Sequence, residues 1–190
     1  MSGPYTIPNL LTAIRIALIP AIVVLFYLPY HWSDMACGVM FALVGITDAF
    51  DGYLARKLGQ TSRLGAFLDP VADKLIVATA LVLIVSRNPV WYVTLTAAVI
   101  IGREIAISAL REWMATIGSH QKMQVTAVAK FKTIVQIVGL SMMLFREDLF
   151  GLPIYLLGLA LTILAAVLTL WSMVTYVMAA APELRSSGET

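Results

Sequence analysis

At 190 residues, the chain is 60% hydrophobic and 13% charged, with a mean hydropathy of +0.88. That is more apolar surface than a soluble core of this size can bury, so the composition points to an integral membrane protein. The formal net charge of +2, with no Lys/Arg block and no interleaving of basic and aromatic residues, excludes nucleic acid as the partner.

Apolar runs of about 20 residues recur along the chain. Six spans are predicted, at 9–29, 34–57, 65–86, 90–113, 126–145 and 153–178. The expected fold is an all-α integral membrane protein of six transmembrane helices, one domain over 1–181 with a polar cytoplasmic tail over 182–190. Short connections predict that consecutive helices pack antiparallel.

The first span begins Ile7-Pro8-Asn9-Leu10-Leu11-Thr12-Ala13-Ile14-Arg15. No charged stretch precedes it and Arg15 lies inside it, so it reads as a retained helix rather than a cleavable signal. Asn9, Thr12 and Arg15 suit either helix capping and interfacial anchoring or contact with a polar ligand.

The second and third spans carry the strongest signal. Asp48 and Asp51 close one, Asp69 and Asp73 open the other, and a carboxylate within a membrane helix costs at least a few kcal/mol unless something compensates it. Spacings of three and four residues let each helix present both of its acids on one face. At about 1.5 Å per residue, Asp51 lies about 7 Å and Asp48 about 12 Å inward from Arg56, while Asp69 and Asp73 lie about 6 and 12 Å inward from Gly65. Asp51 is therefore expected opposite Asp69, and Asp48 opposite Asp73. Such a box suits one or two divalent cations held by oxygen, with Mg²⁺ or Mn²⁺ favoured because no thiolate or imidazole is near. Gly52 and Gly65 are small enough for helix packing or for the close approach of a phosphate ligand to the backbone, with Arg56 beside it. Pro70 is expected in the first turns of its helix, where a missing N–H matters little.

The fourth and fifth spans are basic. Arg103 and Glu104 lie inside an apolar run, Arg111 follows about 12 Å further along the helix, and Lys130 and Lys132 open the next span. Interfacial snorkelling explains such cations singly, but Arg103 reaches the depth of the acids, where Glu104 or a bound anion must compensate it. Together they form a plausible phosphate pocket. All thirteen Lys and Arg residues except Arg87 and Arg146 fall on one side, which puts both termini and the acid cluster at the cytoplasmic face. Cys37 reads as a small core residue. His31 and His120 read as solvated loop residues, and Trp32, Trp91 and Tyr92 as interfacial anchors.

The run from Asp48 to Asp73 resembles the signature of the CDP-alcohol phosphatidyltransferase family, D-x2-D-G-x2-A-R-x8-G-x3-D-x3-D, at every fixed position. The resemblance implies a six-helix, homodimeric membrane enzyme that transfers a phosphatidyl group from CDP-diacylglycerol to an alcohol and releases CMP. It also implies that Asp48, Asp51 and Asp69 chiefly hold two metal ions, that Asp73 is the base for the acceptor hydroxyl while also touching metal, and that Gly52, Ala55, Arg56 and Gly65 line the CDP site. The stretches 7–15, 102–114 and 130–136 look like family members of bacterial cytoplasmic membranes whose acceptor is sn-glycerol 3-phosphate. Arg103, Arg111, Lys130 and Lys132 would then hold its phosphate. Ala129 departs from the glycine expected before the Lys-x-Lys-Thr run, and loop 115–125 is less family-like. Other acceptors (inositol phosphate, serine, phosphatidylglycerol) remain as alternatives. A transporter of divalent cations or protons is a further one, though no inverted repeat supports it.

Overall fold

The structure, a computed structural model, describes residues 7–58, 63–116 and 127–186. Within those ranges the side chains of 7–11, 49–58, 63–67, 111, 115–116, 127–130, 176 and 179–186 lie outside the described set. Six helices follow one another: α1 Ile7–Tyr27, α2 His31–Leu58, α3 Arg63–Arg87, α4 Trp91–Thr116, α5 Ala127–Phe145 and α6 Ile154–Ser186. Among the described residues the only extended pairing is an isolated bridge between Leu149 and Leu152 in the turn before α6. Each predicted span has its helix. The last one runs on past the expected tail boundary at 182, through the strong helix formers Glu183, Leu184 and Arg185, to Ser186.

By length and composition, two stretches are clear candidates to cross a membrane, Trp91–Met114 and Ile154–Thr175. Thr12–Tyr27 and Phe131–Phe145 are shorter apolar stretches. Within its described residues α3 falls short of the same standard because Asp69, Asp73 and Lys74 interrupt its apolar run. Large apolar side chains nevertheless coat the outside, among them Leu43, Val82, Leu95, Ile105, Val167 and Trp171. An apolar coat of this extent is what a lipid-facing surface requires.

The helices form a closed ring in the order α1, α2, α5, α6, α4, α3, with α3 also reaching across to α5. Consecutive helices pair as expected in α1–α2, α3–α4 and α5–α6. Among the described residues neither α2 with α3 nor α4 with α5 makes a substantial contact; α1 stands between the first pair, and α3 and α6 between the second. The apolar core fills the end of the ring near Tyr27 and Arg87, with Phe26, Cys37, Phe41, Ala80, Ile84, Leu140 and Leu144 buried. Arg87 staples that end, donating to Asp34 and to the Phe26 carbonyl with its guanidinium 4.0 Å over the Phe26 ring. Trp32, Trp91 and Tyr92 are exposed at the same end, and the exposed His31 pairs with Glu147 at 3.1 Å.

Where lipid is the solvent, close packing rather than water exclusion holds helices together, so small residues decide the seams. The α5–α6 seam is the tightest. A Cβ on Gly158 would lie 2.7 Å from the Gly139 carbonyl oxygen, and one on Gly139 would lie 2.9 Å from the Gly158 carbonyl oxygen. Backbone atoms cannot step aside. Gly158→Val is therefore expected to cost about 1–3 kcal/mol by overpacking, read as a lower thermal unfolding midpoint in detergent.

Candidate active site

The wedge of α1 between α2 and α3 creates the polar centre. Thr12 and Arg15 lie one turn apart on α1 and are both buried. Arg15 Nη1 donates to Asp48 Oδ1 of α2 at 2.8 Å and to Asp73 Oδ1 of α3 at 2.7 Å. Thr12 Oγ1 donates to Asp69 Oδ1 of α3. Asp48 and Asp73, expected at one depth, thus converge on a single nitrogen. Thr12 and Arg15 serve neither as cap nor as interfacial anchor; they are internal partners of the acids.

The acid side chains are not sealed in. Those of Asp48 and Asp73 are 38% and 45% exposed against 5% for Arg15, so the carboxylates keep faces open to a ligand. Among the described residues no three acidic, His or Cys side chains gather at one point. Asp69 is turned to Thr12, and the side chain of Asp51 lies outside the described set, as do those of Asn9, Gly52, Ala55, Arg56 and Gly65. The donor set still fits a hard divalent cation: two carboxylates already meet at one positive atom, with a third one helical turn from Asp73. Pro70 sits well inside α3 rather than at its start, because the helix begins at Arg63. The carbonyl four residues earlier accordingly loses its helical donor at the level of the acids.

Beside the acids, an apolar cleft of about 300 Å³ opens between α1 and α2. Ile14, Leu18, Met40, Leu43 and Val44 line it, with Thr47 and Arg15 as its polar members.

A second polar cluster occupies the gap between α4 and α5. Glu104 Oε1 accepts from Arg103 Nη1 at 2.8 Å and from Lys132 Nζ of α5 at 3.3 Å. Arg103 Nη2 donates to Ser172 Oγ of α6 at 3.0 Å. Arg103 and Lys132 are 5% and 4% exposed, so two buried cations share the Glu104 carboxylate. Arg103 Nε and Gln136 Oε1, one turn beyond Lys132, are buried polar atoms without a hydrogen-bond partner. Buried donors are normally paired, so Arg103 Nε, a spare donor beside two cations, suits an anion, whereas Gln136 Oε1 is an acceptor and does not. The side chains of Arg111 and Lys130 lie outside the described set, as does most of loop 115–125.

Two contributors escaped the sequence reading. Lys74, next to Asp73, donates to Ser108 Oγ, one turn past Glu104 on α4. It ties the acid helix to the helix of the basic cluster. The signal was a lysine inside a membrane span beside a motif aspartate, which the motif itself does not include. Ser172 was the other, and a hydroxyl in an apolar helix is a weak cue because it commonly bonds its own backbone, as Ser172 also does to the Thr169 carbonyl.

Comparison with known proteins bears on this arrangement. A family model described as CDP-alcohol phosphatidyltransferase matches residues 5–178. Relatives from Salmonella choleraesuis (strain SC-B67), Shigella flexneri serotype 5b (strain 8401) and Escherichia coli (strain K12) are each 49% identical over 180 residues. The match covers 95% of this chain and 97% of each relative. All three carry the name CDP-diacylglycerol–glycerol-3-phosphate 3-phosphatidyltransferase.

Proposed function

The chain belongs to the CDP-alcohol phosphatidyltransferase family, and from that premise we propose that it transfers the phosphatidyl group of CDP-diacylglycerol to sn-glycerol 3-phosphate. The products are phosphatidylglycerol phosphate and CMP, a step of phospholipid biosynthesis. The observation that carries the reading is the convergence of Asp48 of α2 and Asp73 of α3 on one guanidinium nitrogen, beside Asp69.

In this reading Asp48, Asp51, Asp69 and Asp73 hold Mg²⁺ or Mn²⁺, as two ions. Metal held by these residues would supply positive charge against the diphosphate leaving group. Asp73 accepts the proton of the acceptor hydroxyl, whose oxygen forms the new bond to the lipid-side phosphorus. The bond from that phosphorus to the CMP oxygen breaks, and CMP leaves. Gly52, Ala55, Arg56 and Gly65 hold the nucleotide part, in keeping with their motif positions. Arg103 and Lys132, with Arg111 and Lys130, hold the acceptor phosphate, and Arg103 Nε supplies a donor left over for it. All six helices then cross a bacterial cytoplasmic membrane, with the termini and the site on the cytoplasmic side, and the enzyme works as a homodimer.

Release of CMP by purified protein in detergent, with CDP-diacylglycerol and Mg²⁺ or Mn²⁺, tests the proposal. Metal-dependent release is expected with glycerol 3-phosphate and not with serine, inositol phosphate or no acceptor; release with another acceptor alone would reassign the basic cluster. Lys132→Ala is expected to raise the KM for glycerol 3-phosphate about tenfold with little change in kcat, because a contact made equally in ground and transition states is lost. Initial rates against acceptor concentration check it.

A further inference from the structure

Within the catalytic reading above, on which this step rests, we propose that Arg15 is an exchangeable counter-ion: it neutralises Asp48 and Asp73 until a divalent cation takes them, then turns to the diphosphate of the CDP-lipid.

Three observations meet here. A single nitrogen, Arg15 Nη1, bonds both carboxylates at 2.8 and 2.7 Å, so it sits where a cation shared by the two acids would sit. Arg15 is almost wholly buried, and a buried guanidinium needs an anion in every state of the protein. The α1–α2 cleft, of which Arg15 is a lining residue, gives the side chain somewhere to go. Apart from Arg15, that cleft is lined by apolar side chains and Thr47. The CDP-lipid carries an anion suited to a guanidinium there. A diphosphate whose acyl chains lie along the apolar walls would bring it to that spot, and the planar fork of arginine matches phosphate oxygens.

The exchange has opposite consequences for metal and for nucleotide. In the metal-free protein Arg15 competes with the incoming cation, so removing it strengthens metal binding and leaves the acids repelling one another. With metal in place Arg15 adds to diphosphate binding, so removing it weakens that step. A scaffold arginine that merely positions the acids predicts the reverse for metal.

Wild type, Arg15→Gln and Arg15→Lys would be purified metal-free in detergent and titrated with Mn²⁺, following loss of the aqueous Mn²⁺ EPR signal. Thermal midpoints would be taken with and without the ion, and CDP affinity at saturating Mn²⁺. Arg15→Gln is expected to unfold at lower temperature without metal, to bind Mn²⁺ about tenfold more tightly and to bind CDP about tenfold more weakly. Arg15→Lys, which keeps the charge but not the fork, falls between and carries the test if the Gln variant does not fold. Mn²⁺ affinity in the variants equal to or below that of wild type overturns the exchange while leaving the metal site standing. Absence of Mn²⁺ binding in wild type overturns the metal site and the exchange together.

Discussion

Asp73→Asn is expected to lower kcat about 10³-fold while sparing most of the affinity for CDP-diacylglycerol. Asparagine keeps the shape and can still accept from Arg15, but its amide cannot take a proton from the acceptor hydroxyl. Asp48→Asn and Asp69→Asn should behave differently, since the roles proposed for them are in holding metal, and the nucleotide-lipid binds through that metal. These variants lose lipid affinity along with turnover. The pairing of the acids sharpens the contrast: Asp48 and Asp73 share one guanidinium nitrogen, so a purely electrostatic role would make their substitutions equivalent. Single-turnover CMP release, measured with CDP-diacylglycerol binding on the same preparations, separates the cases. Equal loss of binding in all three would remove Asp73 from the role of base.

Glu104→Gln is the second large effect, and it falls first on stability. The carboxylate is the shared partner of Arg103 and Lys132, both nearly inaccessible. Breaking a buried ion pair by removing one partner typically costs about 3–5 kcal/mol, because the remaining charge is left without compensation. Here two cations are affected. The loss should be partly restored by glycerol 3-phosphate or inorganic phosphate, whose anion takes the vacated role, so the variant gains more thermal stability from ligand than wild type does. Unfolding midpoints in detergent, with and without glycerol 3-phosphate, give the result. A variant as stable as wild type, or one indifferent to phosphate, would contradict a phosphate pocket built on these two cations.

The acid pair was legible in the sequence because helix rise is a local property. Counting residues from Arg56 and from Gly65 sufficed to set Asp48 level with Asp73. The compensation of Arg103 by Glu104 was legible for a similar reason, since a buried cation beside an acid has few other solutions. The position of α1 was not. Which helix stands between which depends on how six faces fit, and short connections suggested neighbours where the ring separates them. The interfacial reading of Thr12 and Arg15 failed with it, because their burial follows from the wedge and not from their place in the span. Lys74 was not legible because it is not one of the motif's fixed positions and its partner Ser108 lies on a helix that the motif does not touch.

The ring order also dictates a sequence of events during synthesis. The first three helices to emerge already contain Asp48, Asp69, Asp73, Thr12 and Arg15, so the acid half of the site can assemble before the rest of the chain exists. On α2, however, Gly38 fits against the Phe145 backbone and Gly45 against Ile137, both on α5. That flank stays bare until the fifth helix arrives, and the ring closes only when α6 joins α5 to α4. Ribosomal stalling or proteolysis ahead of α5 would strand a fragment with its acids already neutralised by arginine but with an uncovered glycine-lined side and no Lys132. Such a fragment is a natural target for membrane quality control, and its capacity for transfer is completed last, from the carboxy-terminal side.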